Sequence, residues 1–274
     1  MHVGIGLPIN DPEALPGWAR RADAGPFHSI GLLDRLVYAN PEPLITLAAL
    51  AAVTSRIRLQ TEVLLAPLHK PALLAKQCAT LDRISGGRFT LGIGVGTRPD
   101  DYEVADVDFH RRGRVLDEQL PVLRRIWAGE SDIGPKPIGP EVLFGGFAQP
   151  VIDRAARWGD GFLGAALPPK YLDHLFRKVE QAWAAEGRAG HPRLVAQTNV
   201  AIGPPAVIDE ARGQLRAYYG EAEYTEHAVE GMLTTPARIR GALAAFADIG
   251  ADEVMLYCWS PDADQLDRIA DVIG

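Results

Sequence analysis

Cysteine is almost absent from this chain: only Cys78 and Cys258 occur, far apart and without metal-like spacing. That excludes a disulfide framework and leads us to expect free thiols in a cytoplasmic protein. Long apolar runs are missing too. The stretch LITLAALAAV, residues 44–53, falls short of the roughly 18–20 residues that cross a bilayer and reads as a buried helix. Basic blocks are missing: 28 Lys and Arg stand against 35 Asp and Glu, a net charge of −7, which argues against nucleic acid as a partner. The first residues, MHVGIGLPIN, lack a basic region followed by an apolar run, so a secretory signal is not expected. No Gly-x-Ser-x-Gly elbow occurs, which removes one large class of serine hydrolases. None of the seven histidines has metal-ligand spacing, and no metal site is expected.

What is present is apolar, alternating and long enough for a large core. A chain of 274 residues with 47% hydrophobic content fits one large α/β barrel or two smaller domains. Strand patterns fall at residues 2–7, 29–33, 56–65, 88–95, 141–144, 161–164, 194–202 and 253–257, with helical patterns between them. Leu116, Leu120, Leu123 and Trp127 lie on one face of the helix expected over 109–127. Pro121 sits inside that pattern and predicts a bend. Two excursions, residues 129–140 and 220–235, are rich in turn residues or irregular, and both are expected over the barrel mouth. Eight strands with interleaved helices predict closure into a TIM barrel, with a doubly wound sheet as the rival.

The stretch LAKQCATLDRISGGRFTLGIGVG, residues 74–96, is the most distinctive. A helix runs into Ser85-Gly86-Gly87, and a buried strand ends in Gly94-Val95-Gly96. Together with residues 41–76, it resembles the bacterial-luciferase-like superfamily of flavin and deazaflavin oxidoreductases. The resemblance covers most of the chain and decides for a (β/α)8 TIM barrel with short insertions, taken as one domain over 1–274. The glycine pattern is not a dinucleotide fingerprint, since a third glycine and an immediate helix are lacking.

Working residues of such barrels sit at the carboxyl ends of strands. The first strand ends at Leu7-Pro8-Ile9, read as apolar wall. The second ends at Asp34-Arg35, where many relatives carry an acid followed by a working histidine. Arg35 stays protonated and cannot be a base, but it can bind an anion or stabilise negative charge. Asp34 and Arg35 are therefore candidate catalytic residues, with an Asp34–Arg35 ion pair as the structural alternative. On the third strand the resemblance implies a bulge with a non-proline cis peptide at Glu62–Val63, backing the flavin ring. The Glu62 carboxylate is expected to bond a flavin edge or pair with Arg35, or else with Arg58. His69, in the loop before the next helix, is a third catalytic candidate. Gly94, Val95 and Gly96 are expected to meet the ring or ribityl chain through their backbone. Gly145, Gly146 and Phe147 precede a helix starting near Gln149-Pro150, whose free N–H groups make an anion site for the cofactor phosphate. The turn at Gly203-Pro204-Pro205 is the runner-up, poorer in donors. Asp160-Gly161 is read as structural. Phe147, Tyr102 and Trp259 are candidate pocket walls.

The resemblance implies an oxidoreductase or monooxygenase using reduced FMN or coenzyme F420, acting on a small organic substrate. As partners it implies a second copy of the chain and, for FMN, a separate flavin reductase, with neither membrane nor nucleic acid involved. The alternative is a non-catalytic flavin-binding or sensor relative, suggested by the missing histidine. A metal or Schiff-base barrel enzyme fits less well, because ligand clusters and strand-end lysines are lacking.

Overall fold

The computed structural model describes residues 1–7 and 10–274. Pro8 and Ile9, read above as wall, lie outside the described residues. Nine strand segments follow in order: β1 (His2–Gly6), β2 (Ser29–Leu32), β3 (Arg58–Thr61), β4 (Leu64–Leu65), β5 (Phe89–Gly94), β6 (Glu141–Gly146), β7 (Gly161–Gly164), β8 (Arg193–Val200) and β9 (Glu253–Cys258). Every pairing between them is parallel. β3 and β4 are two halves of one barrel strand, and both pair with β5. The sheet thereby closes on itself, and the chain is a (β/α)8 TIM barrel.

Alternation along the strands sorts side chains between two cores. On β9, Val254, Leu256 and Cys258 join the layer under the helices, while Met255 and Tyr257 point into the barrel. Leu143, Leu163 and Val195 fill the interior in the same way. The interior is polar at its amino-terminal end. Glu253, fully buried, accepts from Ser29 and Arg193, and Glu141 accepts from Arg193, Arg58 and Thr90. Buried charges of this kind persist only when paired and hydrogen-bonded, as these are.

The helices start on proline repeatedly, at Pro43, Pro71, Pro99, Pro169, Pro205 and Pro236, where a missing N–H costs nothing. Helix Arg112–Ala128 buries Leu116, Leu120, Leu123 and Trp127 as its spacing required. It runs on through Pro121, which is exposed. Two short helices, Pro99–Val104 and Thr225–Gly231, were not anticipated.

The two excursions differ. Residues 129–140 connect the end of helix Arg112–Ala128 to the start of β6, so they lie at the amino-terminal face and not at the mouth. Asp82 pins them there by accepting from the Ile138 and Gly139 amides at 2.7 and 2.9 Å. Residues 220–235 do reach the mouth: Leu233 bridges Val200 at the carboxyl end of β8. Among the described residues, no helix is long and apolar enough to cross a membrane.

Candidate active site

A cavity of about 500 Å³, its open mouth included, lies at the carboxyl ends of the strands. That size is typical of small-molecule pockets. Its floor is the break in the third strand. The Glu62–Val63 peptide is cis, as the resemblance implied, and the strand resumes at Leu64. Val63 projects among three glycines. A Cβ at Gly94 would lie 2.6 Å from Val63 Cγ2, and one at Gly145 would lie 2.4 Å from Val63 Cγ1. A Cβ at Gly92 would lie 2.0 Å from the Thr61 carbonyl. These distances are below any real Cβ contact, so glycine is required by the bulge itself. Gly94 and Gly145, read from the sequence as approach points for a ligand, are first of all the space into which Val63 fits. Gly96 is constrained twice, by a φ of +62° and by Leu65 Cδ2 at 2.7 Å from a would-be Cβ.

Glu62 points into the barrel. Gln60 Nε2 donates to its Oε1 at 2.5 Å and Gln197 Nε2 to its Oε2 at 2.8 Å. Neither expected ion pair forms: among the described residues Glu62 meets no cation, and Arg58 pairs with Glu141 instead. The physical reason for Arg58 is distance: four residues of strand, roughly 13 Å at about 3.3 Å per residue, separate it from Glu62 along the interior. Burial pushes the Glu62 carboxyl up to about 8, opposed by hydrogen bonds that favour its charged form. Folded Glu62 therefore keeps its proton where the unfolded chain has lost it. The folded state binds more protons between pH 4.5 and about 8, so its stability falls as pH rises through that window. Glu62→Gln should remove the slope: denaturant unfolding should find it close to the parent at pH 5 and more stable by a few kcal/mol at pH 9, on the order expected from a shift of this size. A parent with equal stability at both pH values would contradict a buried, neutral Glu62.

Asp34 lines the cavity beside it. Its Oδ2 accepts from the Leu65 amide at 2.8 Å, which ties the second strand to the resumed third. Burial raises its pKa to about 6 against that hydrogen bond, with smaller upward pushes from Glu42 and Asp101. Asp34 does not pair with Arg35. Arg35 Nε donates to Asp101 Oδ2 at 2.5 Å, Nη1 to the Tyr218 carbonyl at 3.1 Å, and Nη2 contacts Asp100 at 3.3 Å. Asp101 in turn accepts from the Leu36 and Val37 amides at 2.9 and 2.7 Å. Arg35 lines the cavity, yet its donors are spent on clamping three elements of the mouth. Its carboxylate partner is Asp101 and not its sequence neighbour Asp34.

Arg98 makes a second clamp, donating to Tyr219's carbonyl at 2.8 Å and to Asp100 at 2.7 Å. Tyr218, Tyr219 and Tyr224 complete the wall. Their rings meet edge to face, with centroids 5.0 Å apart for Tyr218–Tyr219 and 5.2 Å for Tyr219–Tyr224. Burial pushes the Tyr219 hydroxyl up to about 12, so it stays protonated. The Arg98 clamp and the three tyrosines were missed from sequence. The paired Tyr218-Tyr219 at the end of a helix was the available signal.

The other sequence candidates fall elsewhere. His69 is outside the cavity wall: its amide donates to Ala66 and its carbonyl accepts from Gln119, within a turn on the helix side of the barrel. Burial lowers its pKa. Tyr102 is fully buried, its hydroxyl on the Val95 carbonyl at 2.5 Å, so it is packing and not wall. Trp259 stands behind the wall, donating to Asn199 at 2.7 Å, its ring centroid 5.2 Å from that of Tyr218 and tilted by 53°. Phe147 is exposed at the surface. Gly94, Val95 and Gly145 border a narrower cleft together with Arg154, at the start of helix Gln149–Trp158. No side chain caps that helix start. Gly146 beside it has a φ of +144°. At the runner-up turn, a Cβ on Gly203 would lie 3.0 Å from the Arg268 guanidinium, which donates to Ile202 and Asp262 there. Among the described residues no cluster of three or more metal-ligating side chains occurs.

A closed parallel barrel with a broken third strand under a strand-end cavity defines the architecture. The chain belongs to the luciferase-like monooxygenase family, whose model matches residues 2–272. It is 34% identical over 161 residues to an uncharacterised protein of Mycobacterium tuberculosis, a match covering 54% of this chain and 56% of that one. The chain thus spans a little over half the length of that curated relative. It is 36% identical over 92 residues to the oxygenase component of a flavin-dependent trigonelline monooxygenase from Acinetobacter baylyi, covering 33% and 26% of the two chains. The fold matches an F420-dependent secondary alcohol dehydrogenase solved with an F420-acetone adduct, with a TM-score of 0.84, 19% identity and coverage of 99% and 97%.

Proposed function

We propose that this chain is an oxidoreductase that binds FMN or coenzyme F420 at the mouth of the barrel and acts on a small organic molecule. The observation that supports this most is the Val63 floor: an apolar surface held rigid by Gly92, Gly94 and Gly145, under a cavity at the carboxyl ends of the strands. The residues present fit a flat ring with an anionic tail. Gly96, Thr97 and Leu65 border the cavity, and the uncapped start of helix Gln149–Trp158 offers backbone N–H groups and the positive end of a helix dipole. Val63, Gly96 and Glu62 would hold the ring, and the backbone at Gly145, Gly146 and Phe147 the phosphate. When bound, the group supplies hydride transfer, or oxygen activation if it is reduced FMN.

The chain's own part is placement and proton handling. Arg35 and Asp101 fix the loop after β2, and Tyr218, Tyr219 and Tyr224 shield the cavity from water. Glu62 holds a proton at neutral pH on a carboxyl with no cation near it. Gln60 and Gln197 orient that carboxyl, and their N–H groups stabilise it if the proton leaves. Asp34 is the second group able to exchange a proton near neutrality. A reductase supplying reduced FMN and assembly as a homodimer belong to the same proposal. Spectral titration of purified protein with FMN and with F420, oxidised and reduced, tests it: one cofactor should bind at one equivalent per chain. Binding of neither would refute it.

A further inference from the structure

The mouth cavity also has a charge pattern that points to what it receives, on the reading that this cavity is the substrate's site. Four carboxylates and two guanidiniums border it or brace it. Asp101 and Asp100 neutralise Arg35 at 2.5 and 3.3 Å, and Asp100 also takes Arg98 at 2.7 Å. Those four charges cancel. Asp34 and Glu62 remain, both in the cavity wall, and among the described residues neither makes an ion pair. Asp34 spends Oδ2 on the Leu65 amide, while Oδ1 has no hydrogen bond within the described protein. Tyr218, Tyr219 and Tyr224 line the same cavity; the Tyr218 ring lies 5.7 Å from the Arg35 guanidinium and packs on Tyr38 and Trp259, so Tyr219 and Tyr224 are the rings not already under a cation. Unpaired carboxyls and aromatic rings in one cavity are the two means by which proteins hold a desolvated cationic nitrogen, through Coulombic attraction and through the ring quadrupole. The chain's net charge of −7 adds a weak pull of the same sign.

We propose that the mouth cavity receives a substrate bearing a cationic nitrogen, held by Asp34 and Glu62 and by the rings of Tyr219 and Tyr224 that line the same cavity. An anionic substrate would meet two carboxyls and no free guanidinium, since Arg35 and Arg98 are committed. Burial raises the pKa of both Asp34 and Glu62, and a cation bound beside them lowers both and draws off the proton that Glu62 otherwise holds. The charged groups around Asp34 are Arg35, Asp101 and Glu42, with Glu62 on the same cavity wall. Loss of the Asp34 charge below about pH 6 should therefore weaken the binding of a permanently charged cation.

Calorimetric titration of the purified protein with benzyltrimethylammonium, benzyl alcohol and phenylacetate tests the proposal. The measurements are made on the free protein and after saturation with whichever of FMN or F420 binds. The quaternary ammonium should bind at least tenfold more tightly than either other probe at pH 8, and more weakly at pH 5. Asp34→Asn, which keeps an acceptor for the Leu65 amide, should cost about tenfold at pH 8, and Tyr219→Leu a smaller factor. Equal or tighter binding of phenylacetate or benzyl alcohol to the parent protein would overturn the proposal without any variant having to fold. So would an Asp34→Asn protein with unchanged affinity. Failure of both cofactors to bind would count against the flavin reading and leave the preference for the cation to be decided by the free protein alone.

Discussion

Gly145→Ala is expected to destabilise the protein by about 1–3 kcal/mol even without any cofactor, the usual cost of forcing a carbon into a filled core. The new Cβ would lie 2.4 Å from Val63 Cγ1, an atom on a short branched side chain held at the strand break. Val63 cannot swing away, because Gly94 lies on its other side with a would-be Cβ 2.6 Å from Cγ2. The same substitution in a Val63→Ala background should be nearly neutral, since the clashing methyls are gone. Denaturant unfolding of the two single variants and the double variant gives the coupling energy. Additive effects would mean that Gly145 and Val63 do not share the space, and that the glycine serves a ligand alone.

Arg35→Ala is expected to cost about 3–5 kcal/mol, the range for removing one partner of a buried, hydrogen-bonded ion pair. Asp101 is 1% exposed and would be left with two amides and no guanidinium. The loop after β2, helix Pro99–Val104 and the end of helix Pro205–Tyr219 would lose their common tie. A chain of this length should then melt roughly 10 °C lower. Any fall in turnover should be accompanied by that loss of stability. A variant with parental melting temperature and lost turnover would return Arg35 to the chemistry.

The barrel was readable because its determinants are local and periodic. Alternation on β9, the Ser85-Gly86-Gly87 turn and the Leu116–Trp127 stripe each announce their element over a few residues. The strand break at Glu62–Val63 came from the resemblance; neither residue marks it chemically. The site was harder to read, because its pairings join distant segments. Arg35 and Asp101 are 66 residues apart, and Glu62 and Gln197 are 135 apart. The nearest acid in sequence, Asp34, was the natural partner for Arg35, yet it faces the Leu65 amide instead. Of the tyrosine wall, Tyr218 and Tyr219 end helix Pro205–Tyr219 and are held at the site by Arg35 and Arg98 from distant loops, while Tyr224 comes from the excursion whose pattern gave no element. His69 looked suitable by type alone, and the turn that carries it faces the helix layer.

The central claim is that the cofactor ring lies on the Val63 floor, against Gly96 and Leu65. A crystal structure of the protein with the cofactor that binds in solution tests this most directly. The ring should rest against Val63 and Gly96, with the phosphate on the backbone between Gly145 and Gln149. A ring bound elsewhere, or a phosphate held at the Gly203 turn by Arg268, would contradict the assignment.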